Sequence, residues 1–203
     1  TDQFANIDTT ATGTLTITAR PITLTANDAS NEYTGSTITY ATAGDAVEPY
    51  YTISSGSLAN GQSITAITLT GEGIEADTYP ITITEGSVAI GTYTDNYNIT
   101  LQPGTLTITT SSVEITVVPG SGSKTYDGTA LTKAEHDDFT VTGVPEGFTW
   151  TAAADGTVTN VTPGEGEKAV NAVTEFKIFN ADGEDVTDQF ANIDTTATGT
   201  LTI

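Results

Sequence analysis

Cysteine is absent from this chain of 203 residues, and basic residues are scarce. Without cysteine the chain has no disulfide, although small exported domains often use disulfides as staples. The same absence excludes an enzyme mechanism that depends on a thiol nucleophile.

The charge is strongly one-sided. Five basic residues stand against 26 acidic ones, which gives a formal net charge of −21. The basic residues are Arg20, Lys124, Lys133, Lys168 and Lys177. Nucleic acids and anionic membrane surfaces attract basic proteins, so we expect neither as a partner. A charge of this size favours a soluble protein with affinity for cations.

Long apolar runs are missing as well. The sequence contains no signal peptide, membrane-spanning run or anchor motif, as expected for an internal fragment of a longer protein. No stretch of about 12 or more residues carries apolar side chains at helical spacing. The pattern therefore does not favour a helical fold.

An exact repeat is the most informative feature that is present. Residues 1–17 read TDQFANIDTTATGTLTI and recur unchanged as residues 187–203, a period of 186 residues. A weaker repeat lies at half that distance, because residues 22–35 align with residues 115–128 at an offset of 93. The second copy carries two extra residues before its closing phrase, Gly199-Thr-Leu-Thr-Ile203. The period therefore contains two diverged copies of one unit, each close to the size of a small domain.

The repeat predicts the domain boundaries. We expect residues 1–17 to be the C-terminal strand region of a preceding repeat, followed by domains at residues 18–110 and 111–203. The link at residues 109–112 is too short to act as a flexible coil. Neighbouring domains should therefore stand end to end as a stiff rod, with neighbouring repeats of the same chain as their partners.

Alternating apolar and polar residues predict an all-β fold. Phrases such as Leu15-Thr-Ile-Thr18, Ile81-Thr-Ile-Thr84 and Leu106-Thr-Ile-Thr109 place aliphatic side chains on one face of a strand and threonine on the other. Short strands separated by Gly and Pro predict two tandem small antiparallel β domains. An Ig-like sandwich is the favoured topology, with a β-grasp-like unit as the alternative.

The alternation also predicts the core residues. In the first domain they are Ile22, Leu24, Tyr33, Ile67, Leu69, Tyr79, Ile81, Ile83, Tyr97, Ile99, Leu106 and Ile108. In the second domain they are Ile115, Val117, Tyr126, Phe139, Val141, Trp150, Val158, Val170, Phe176, Ile178, Phe190, Ile193, Leu201 and Ile203. A dozen or so apolar side chains per domain suffice for one modest core.

Several motifs resemble known surface-protein repeats. In the first domain they are Pro21-Ile-Thr-Leu-Thr-Ala-Asn-Asp28, Asp77-Thr-Tyr-Pro-Ile81 and Asn96-Tyr-Asn-Ile99, which resemble the MBG domain of bacterial surface proteins. The second domain resembles the YDG-type relative through Lys124-Thr-Tyr-Asp-Gly-Thr-Ala-Leu131 and Phe179-Asn-Ala-Asp-Gly183. The resemblance implies a stalk repeat of a secreted, cell-wall-attached, adhesin-like protein, located extracellularly on a Gram-positive bacterium.

Turns and acidic clusters are the candidate sites. Tyr33-Thr34-Gly35 and Tyr126-Asp127-Gly128 occupy matching places, and we interpret both as turns whose tyrosine anchors the turn to the core. Residues 180–185 with Asp188, and residues 135–138, offer oxygens that calcium could use. The first cluster lacks the spacing of an EF-hand, so a hairpin turn is the preferred interpretation and no metal site or cofactor is assigned.

Catalytic residues are not assigned either. His136 is the only histidine, and the adjacent Asp137 and Asp138 are badly placed to orient its ring. A G-x-S-x-G nucleophile turn is also missing. Lys124 and Asn192 offer a hypothetical lysine–asparagine cross-link in the second domain. Trp150 or the pair Tyr50-Tyr51 could stack on a sugar ring, although core roles are more common.

The sequence thus predicts a non-enzymatic spacer that projects a binding region from the cell. One alternative is a multivalent module that binds host glycan or mucin weakly at each repeat. The other is a filament subunit, in which residues 1–17 exchange with residues 187–203 of a second copy.

Overall fold

A computed structural model describes residue 10 and residues 12–42, 50–161 and 168–203. Strands dominate these residues, and the helical elements among them are three-residue 3₁₀ turns at Thr94–Asn96, His136–Asp138 and Thr187–Gln189. The all-β prediction is confirmed. In the described part of the chain, no helix has the length and hydropathy needed to cross a membrane.

The strands of the first repeat are short, as the spacing of Gly and Pro predicts. In chain order they are β1 (Arg20–Ala26), β2 (Ala29–Glu32), β3 (Ile38–Thr42), β4 (Tyr51–Ser55), β5 (Leu69–Gly73), β6 (Thr78–Ile83), β7 (Tyr97–Gln102) and β8 (Gly104–Thr109). They form a three-stranded sheet of order β4-β1-β7 and a five-stranded sheet of order β2-β8-β6-β5-β3.

The strands of the second repeat follow directly. They are β9 (Ser111–Pro119), β10 (Gly122–Ser123), β11 (Leu131–Thr132), β12 (Phe139–Thr142), β13 (Thr149–Ala154), β14 (Thr157–Val158), β15 (Ala169–Phe179), β16 (Phe190–Asp194) and β17 (Thr198–Thr202). They form sheets of order β12-β9-β16 and β10-β17-β15-β13, together with the pair β11-β14.

The two sets of strands pair in the same way. Ile22 of β1 lies opposite Ile99 of β7, and Ile115 of β9 lies opposite Ile193 of β16. The edge strands also correspond. Strand β2 pairs with β8 in the first repeat, and β10 pairs with β17 in the second. Strand β1 and strand β9 each take an antiparallel neighbour on their other side, β4 and β12. The internal sequence repeat therefore corresponds to a repeated pattern of strand pairing.

Strand direction differs from the prediction. The pairs β1-β7, β9-β16, β2-β8 and β10-β17 are parallel, whereas the sequence predicted antiparallel domains. Alternation of apolar and polar residues has period two in both kinds of sheet, so the pattern carries no information about direction. The first and last parts of each repeat lie side by side, and long connections join them. The sheets are mixed.

Two equivalent glycines mark the same close approach in both repeats. Gly56 and Gly143 have φ of +77° and +89°. A Cβ on Gly56 would collide with the carbonyl oxygen of Pro21, and a Cβ on Gly143 would collide with that of Glu114. Only glycine fits there, because any side chain would meet both the left-handed backbone and a neighbouring strand.

Contacts between Cα atoms divide the chain into two compact units whose segments interleave. The first comprises residues up to Asn27 with Ala41–Thr70 and Ile81–Gly104, and the second comprises Asp28–Tyr40, Gly71–Pro80 and Thr105–Ile203. Parts of the first repeat thus group with the second repeat. The boundary between residues 110 and 111 stays a prediction of the sequence repeat.

Most predicted core residues are buried, but some are not. Tyr126 is 56% exposed and Val170 is 61% exposed, so both were wrong. Tyr126 lies in a loop outside the strands, and Val170 faces outward because its neighbour Asn171 faces inward on β15. The predicted residues with intermediate burial are Tyr79, Ile99, Val141, Trp150, Val158, Phe176, Ile193 and Ile203. The unpredicted core residues are Ala26, Tyr51, Ile64, Val88, Ile90 and Val186.

The N-terminal copy of the exact repeat has a different environment from the C-terminal copy. Residues 1–9 and 11 lie outside the described residues, and residues 12–19 form no strand. Leu15 is 100% exposed, whereas the equivalent Leu201 on β17 is fully buried. The six-residue phrase of residues 12–17, which recurs as residues 198–203, therefore contains a strand only where β10 and β15 flank it.

Candidate functional site

An aromatic cluster joins the two repeats inside the second compact unit. Tyr33 comes from the first repeat, and Phe148 and Phe190 come from the second. The Tyr33 ring lies 5.8 Å from that of Phe190 in a T-shaped arrangement, and Phe148 lies 5.3 Å from Phe190 in the same geometry. Edge-to-face pairs at these distances stabilise beyond the area they bury. We call these three residues the junction cluster.

Local structure fixes each ring of the junction cluster. The backbone N–H of Tyr33 donates to the carbonyl of Thr109 at 2.8 Å, directly after strand β2. Gly35, with φ of +76°, completes the turn, and a Cβ at this position would overlap the Phe148 ring. Phe190 begins strand β16 after a 3₁₀ turn. The turn glycine therefore also makes room for the facing aromatic ring.

Polar contacts flank the junction cluster. The backbone N–H of Ala76 donates to Oε1 of Gln189 at 2.6 Å, and Gln189 is 8% exposed. Ser112 donates its backbone N–H and its hydroxyl to the carboxylate of Glu32 at 2.9–3.2 Å. These hydrogen bonds hold the pKa of Glu32 below its usual range. Each contact links a residue of the first repeat to one after residue 110.

The two predicted turns, at residues 33–35 and 126–128, have similar backbones but different side-chain contacts. Gly35 and Gly128 both take positive φ, which confirms the turn prediction. Tyr33 is 4% exposed and anchors its turn as expected, but Tyr126 does not. Asp127 supports the second turn instead, since its Oδ1 accepts from Lys124 Nζ at 2.9 Å and from the Thr129 hydroxyl at 2.8 Å. These bonds hold the pKa of Asp127 far below its usual range.

The acidic segment 180–185 forms a turn. Oδ1 of Asn180 accepts from the backbone N–H groups of Asp182 and Glu184 at 3.0 and 2.9 Å, and Gly183 has φ of +81°. In the other cluster, Glu135 and Asp138 form a capping box around a 3₁₀ turn. Among the described residues, no three His, Asp or Glu side chains stand close enough to bind one metal ion.

The proposed cross-linking pair has separate partners. Lys124 Nζ contacts Asp127, Thr129 and the carbonyl of Ala130. Asn192 donates its side-chain N–H to the carbonyl of Ser112 at 2.9 Å. The structure thus gives neither side chain the other as a partner.

The remaining aromatic candidates pack within the protein. Trp150 stacks on His136 with ring centroids 4.1 Å apart and an interplanar angle of 13°, and it also contacts Phe176. Tyr51 is 8% exposed and begins strand β4. His136 therefore covers one face of Trp150, and Tyr51 offers little ring surface to a sugar.

Phe148 and Asn171 were missed by sequence reasoning. Phe148 follows the turn Pro145-Glu-Gly147 rather than an alternating run, so no strand pattern marks it. Asn171 is fully buried and makes three hydrogen bonds, to the N–H of Gly156 and the carbonyls of Gly120 and Lys133. A polar residue in a run such as 169–173 is normally assigned to the exposed face.

The chain matches no protein-family model, and no curated protein and no solved structure is similar to it. The resemblance to MBG and YDG repeats therefore stays a prediction from the quoted motifs.

Proposed function

We propose that the chain is a spacer segment, whose repeats set the distance between a cell surface and a binding region elsewhere in the protein. The junction cluster of Tyr33, Phe148 and Phe190 is the observation that carries this proposal. A spacer needs successive repeats that keep a fixed relation, and aromatic contacts between segments of the two repeats favour one.

Polar contacts support the same proposal. The bonds from Ala76 to Gln189 and from Ser112 to Glu32 lie beside the junction cluster and restrain its two flanks. The hinge between the repeats is short, since β8 ends at Thr109 and β9 begins at Ser111. A connection of one residue between strands leaves little freedom for bending.

The location that we propose is the outside of a bacterial cell, as a stalk of the MBG and YDG kind attached to the cell wall. Its support is the set of sequence motifs, the acidic charge and the exact recurrence of residues 1–17 as 187–203. Repeats that serve only to set length can be duplicated without change. We propose no catalytic activity for the segment.

Chains with one, two and three copies of the 186-residue period test the proposal. Small-angle scattering should show a maximum dimension that grows by a constant increment for each added copy. A dimension that grows only as the square root of the copy number would indicate a flexible string and would contradict the spacer. Saturable binding of one period to a mucin glycan array would favour the multivalent binding module instead.

A further inference from the structure

An acidic groove lies in the second compact unit beside Tyr33. Its volume is about 540 Å³, and Tyr33, Tyr79, Glu72, Glu75, Asp182 and Glu184 contribute to its lining. Within the described residues, no lysine or arginine forms a salt bridge with these four carboxylates. The groove has the size of a small-molecule site, and its negative charges lack a cation.

Tyr33 provides a second, independent observation. It is 4% exposed, yet its hydroxyl has no hydrogen-bond partner among the described residues. Buried tyrosine hydroxyls are normally hydrogen-bonded, because leaving one unpaired costs stability. The side chain lines the groove, and Glu75 and Glu184 of the same groove act on its hydroxyl electrostatically. A buried polar side chain, whose hydroxyl has no hydrogen-bond partner among the described residues, therefore contributes to the lining of a cavity with excess negative charge.

Contacts within the protein hold two of the side chains that line the groove, those of Tyr79 and Glu184. The hydroxyl of Tyr79 donates to the carbonyl oxygen of Glu75 at 3.1 Å. The Tyr79 ring covers Gly73 so closely that a Cβ on Gly73 would overlap it. Asn180 holds Glu184 through a hydrogen bond of 3.0 Å to its carboxylate. The Tyr79 ring and the Glu184 carboxylate are therefore held by contacts within the protein.

We propose that this groove binds an alkylammonium group, such as that of an aliphatic diamine or of a lysine side chain. The carboxylates would balance the positive charge, the Tyr33 oxygen would accept an N–H, and the tyrosine rings would contact the alkyl chain. A metal ion fits less well, since no three described carboxylates stand close enough to share one. This site is independent of the spacer role.

The proposal is tested by titrating the full chain with 1,5-diaminopentane at physiological salt and recording ¹H–¹⁵N NMR spectra at each step. We expect saturable shifts confined to residues 33–37, 72–79 and 180–186. The variant Tyr33→Phe keeps the ring and should raise the Kd about tenfold by removing one charge-assisted hydrogen bond. The double variant Glu75→Gln/Glu184→Gln should raise it further. Nα-acetyl-lysine amide in place of the diamine distinguishes a side-chain ligand from a free diamine.

A second acidic cavity provides the matched control. Glu85 and Asp95 line a separate cavity in the first compact unit, so Glu85→Gln/Asp95→Asn removes the same charge elsewhere. This control should leave the Kd within about twofold, because Glu85 and Asp95 do not line the groove and salt screens charges that do not contact the ligand. An equal loss of affinity in both double variants would overturn the proposal and indicate attraction to net charge alone. Equal binding of uncharged 1,5-pentanediol would overturn it as well.

Discussion

Asn171 shows how a single buried polar residue can hold several loops together. Its side chain joins strand β15 to Gly120, Lys133 and Gly156, three places far apart in the sequence. A Cβ on Gly156 would collide with Asn171, so the backbone approaches this side chain closely. The sequence pattern could not reveal it, because alternation records polarity and not hydrogen-bond satisfaction.

We expect Asn171→Ala to lower the free energy of unfolding by about 2–4 kcal/mol, because it leaves three backbone groups without partners. Urea unfolding measures this change. Asn192→Ala is the control, since Asn192 is exposed and its side chain donates a hydrogen bond to the carbonyl of Ser112. It should cost less than about 0.5 kcal/mol. Similar losses in the two variants would contradict the structural role of Asn171.

Tyr33 is buried, whereas its sequence equivalent Tyr126 is exposed. Burial, followed by the charges of Glu75, Asp188 and Glu184, raises the pKa of Tyr33. The folded state therefore keeps this proton at pH values where the unfolded state releases it. The sign follows from linkage: the stabilisation is complete below the unfolded pKa of about 10, and it is lost as pH rises toward the folded pKa.

Tyr33→Phe should consequently be more stable than the parent at pH 7 by roughly 1 kcal/mol, because the unpaired hydroxyl is gone. The advantage should widen above pH 10. Urea unfolding at pH 7 and pH 11 gives both values, and the other tyrosines contribute equally to parent and variant. A variant that is clearly destabilised at pH 7 would show that the hydroxyl has a favourable partner.

The sequence could predict where strands and turns occur, but it could not predict whether paired strands run parallel or antiparallel. The phrases around Ile22, Ile81 and Leu106 are strands, and the glycines at 35, 128 and 183 take the positive φ that turn chemistry requires. Parallel pairing of β1 with β7 could not be foreseen, because it depends on where a distant strand returns. Leu15 and Leu201 make the same point, since identical phrases differ in burial when the neighbouring strands differ.

The close approach of a glycine to a neighbouring strand, which occurs at Gly56 and Gly143, can be tested by substitution. Gly143→Ala should destabilise the protein by the cost of a left-handed alanine, about 1–2 kcal/mol, together with roughly 1–3 kcal/mol of strain against Glu114. Gly147→Ala is the matched control, because Gly147 has φ of +90° but nothing near its Cβ position. Gly147→Ala should lower the free energy of unfolding only by the cost of the left-handed alanine. The free energy of unfolding, measured with heat or urea, checks this prediction. A larger loss in Gly147→Ala than in Gly143→Ala would contradict the account.

At the scale of the whole molecule, the sequence repeat predicted two copies of one unit, and the strand pairing recurs in both because duplication copies the pairing pattern together with the residues that encode it. The junction could not be predicted in the same way. The sequence indicates Tyr33 as a core residue and turn anchor of its own domain, and it does not indicate Phe148. Contacts between repeats depend on side chains at turns, where neither strand nor helix periodicity applies.

The central claim is that, within the second compact unit, the junction cluster holds the segments from the first repeat in a fixed relation to the second repeat. Since the chain has no cysteine, spin labels at Ser30→Cys and Thr159→Cys would be the only ones attached. Both positions are exposed, and they lie on different repeats. Pulsed electron paramagnetic resonance should give one narrow distance distribution in the parent and a broad one after Phe148→Ala. A broad distribution in the parent would contradict the account.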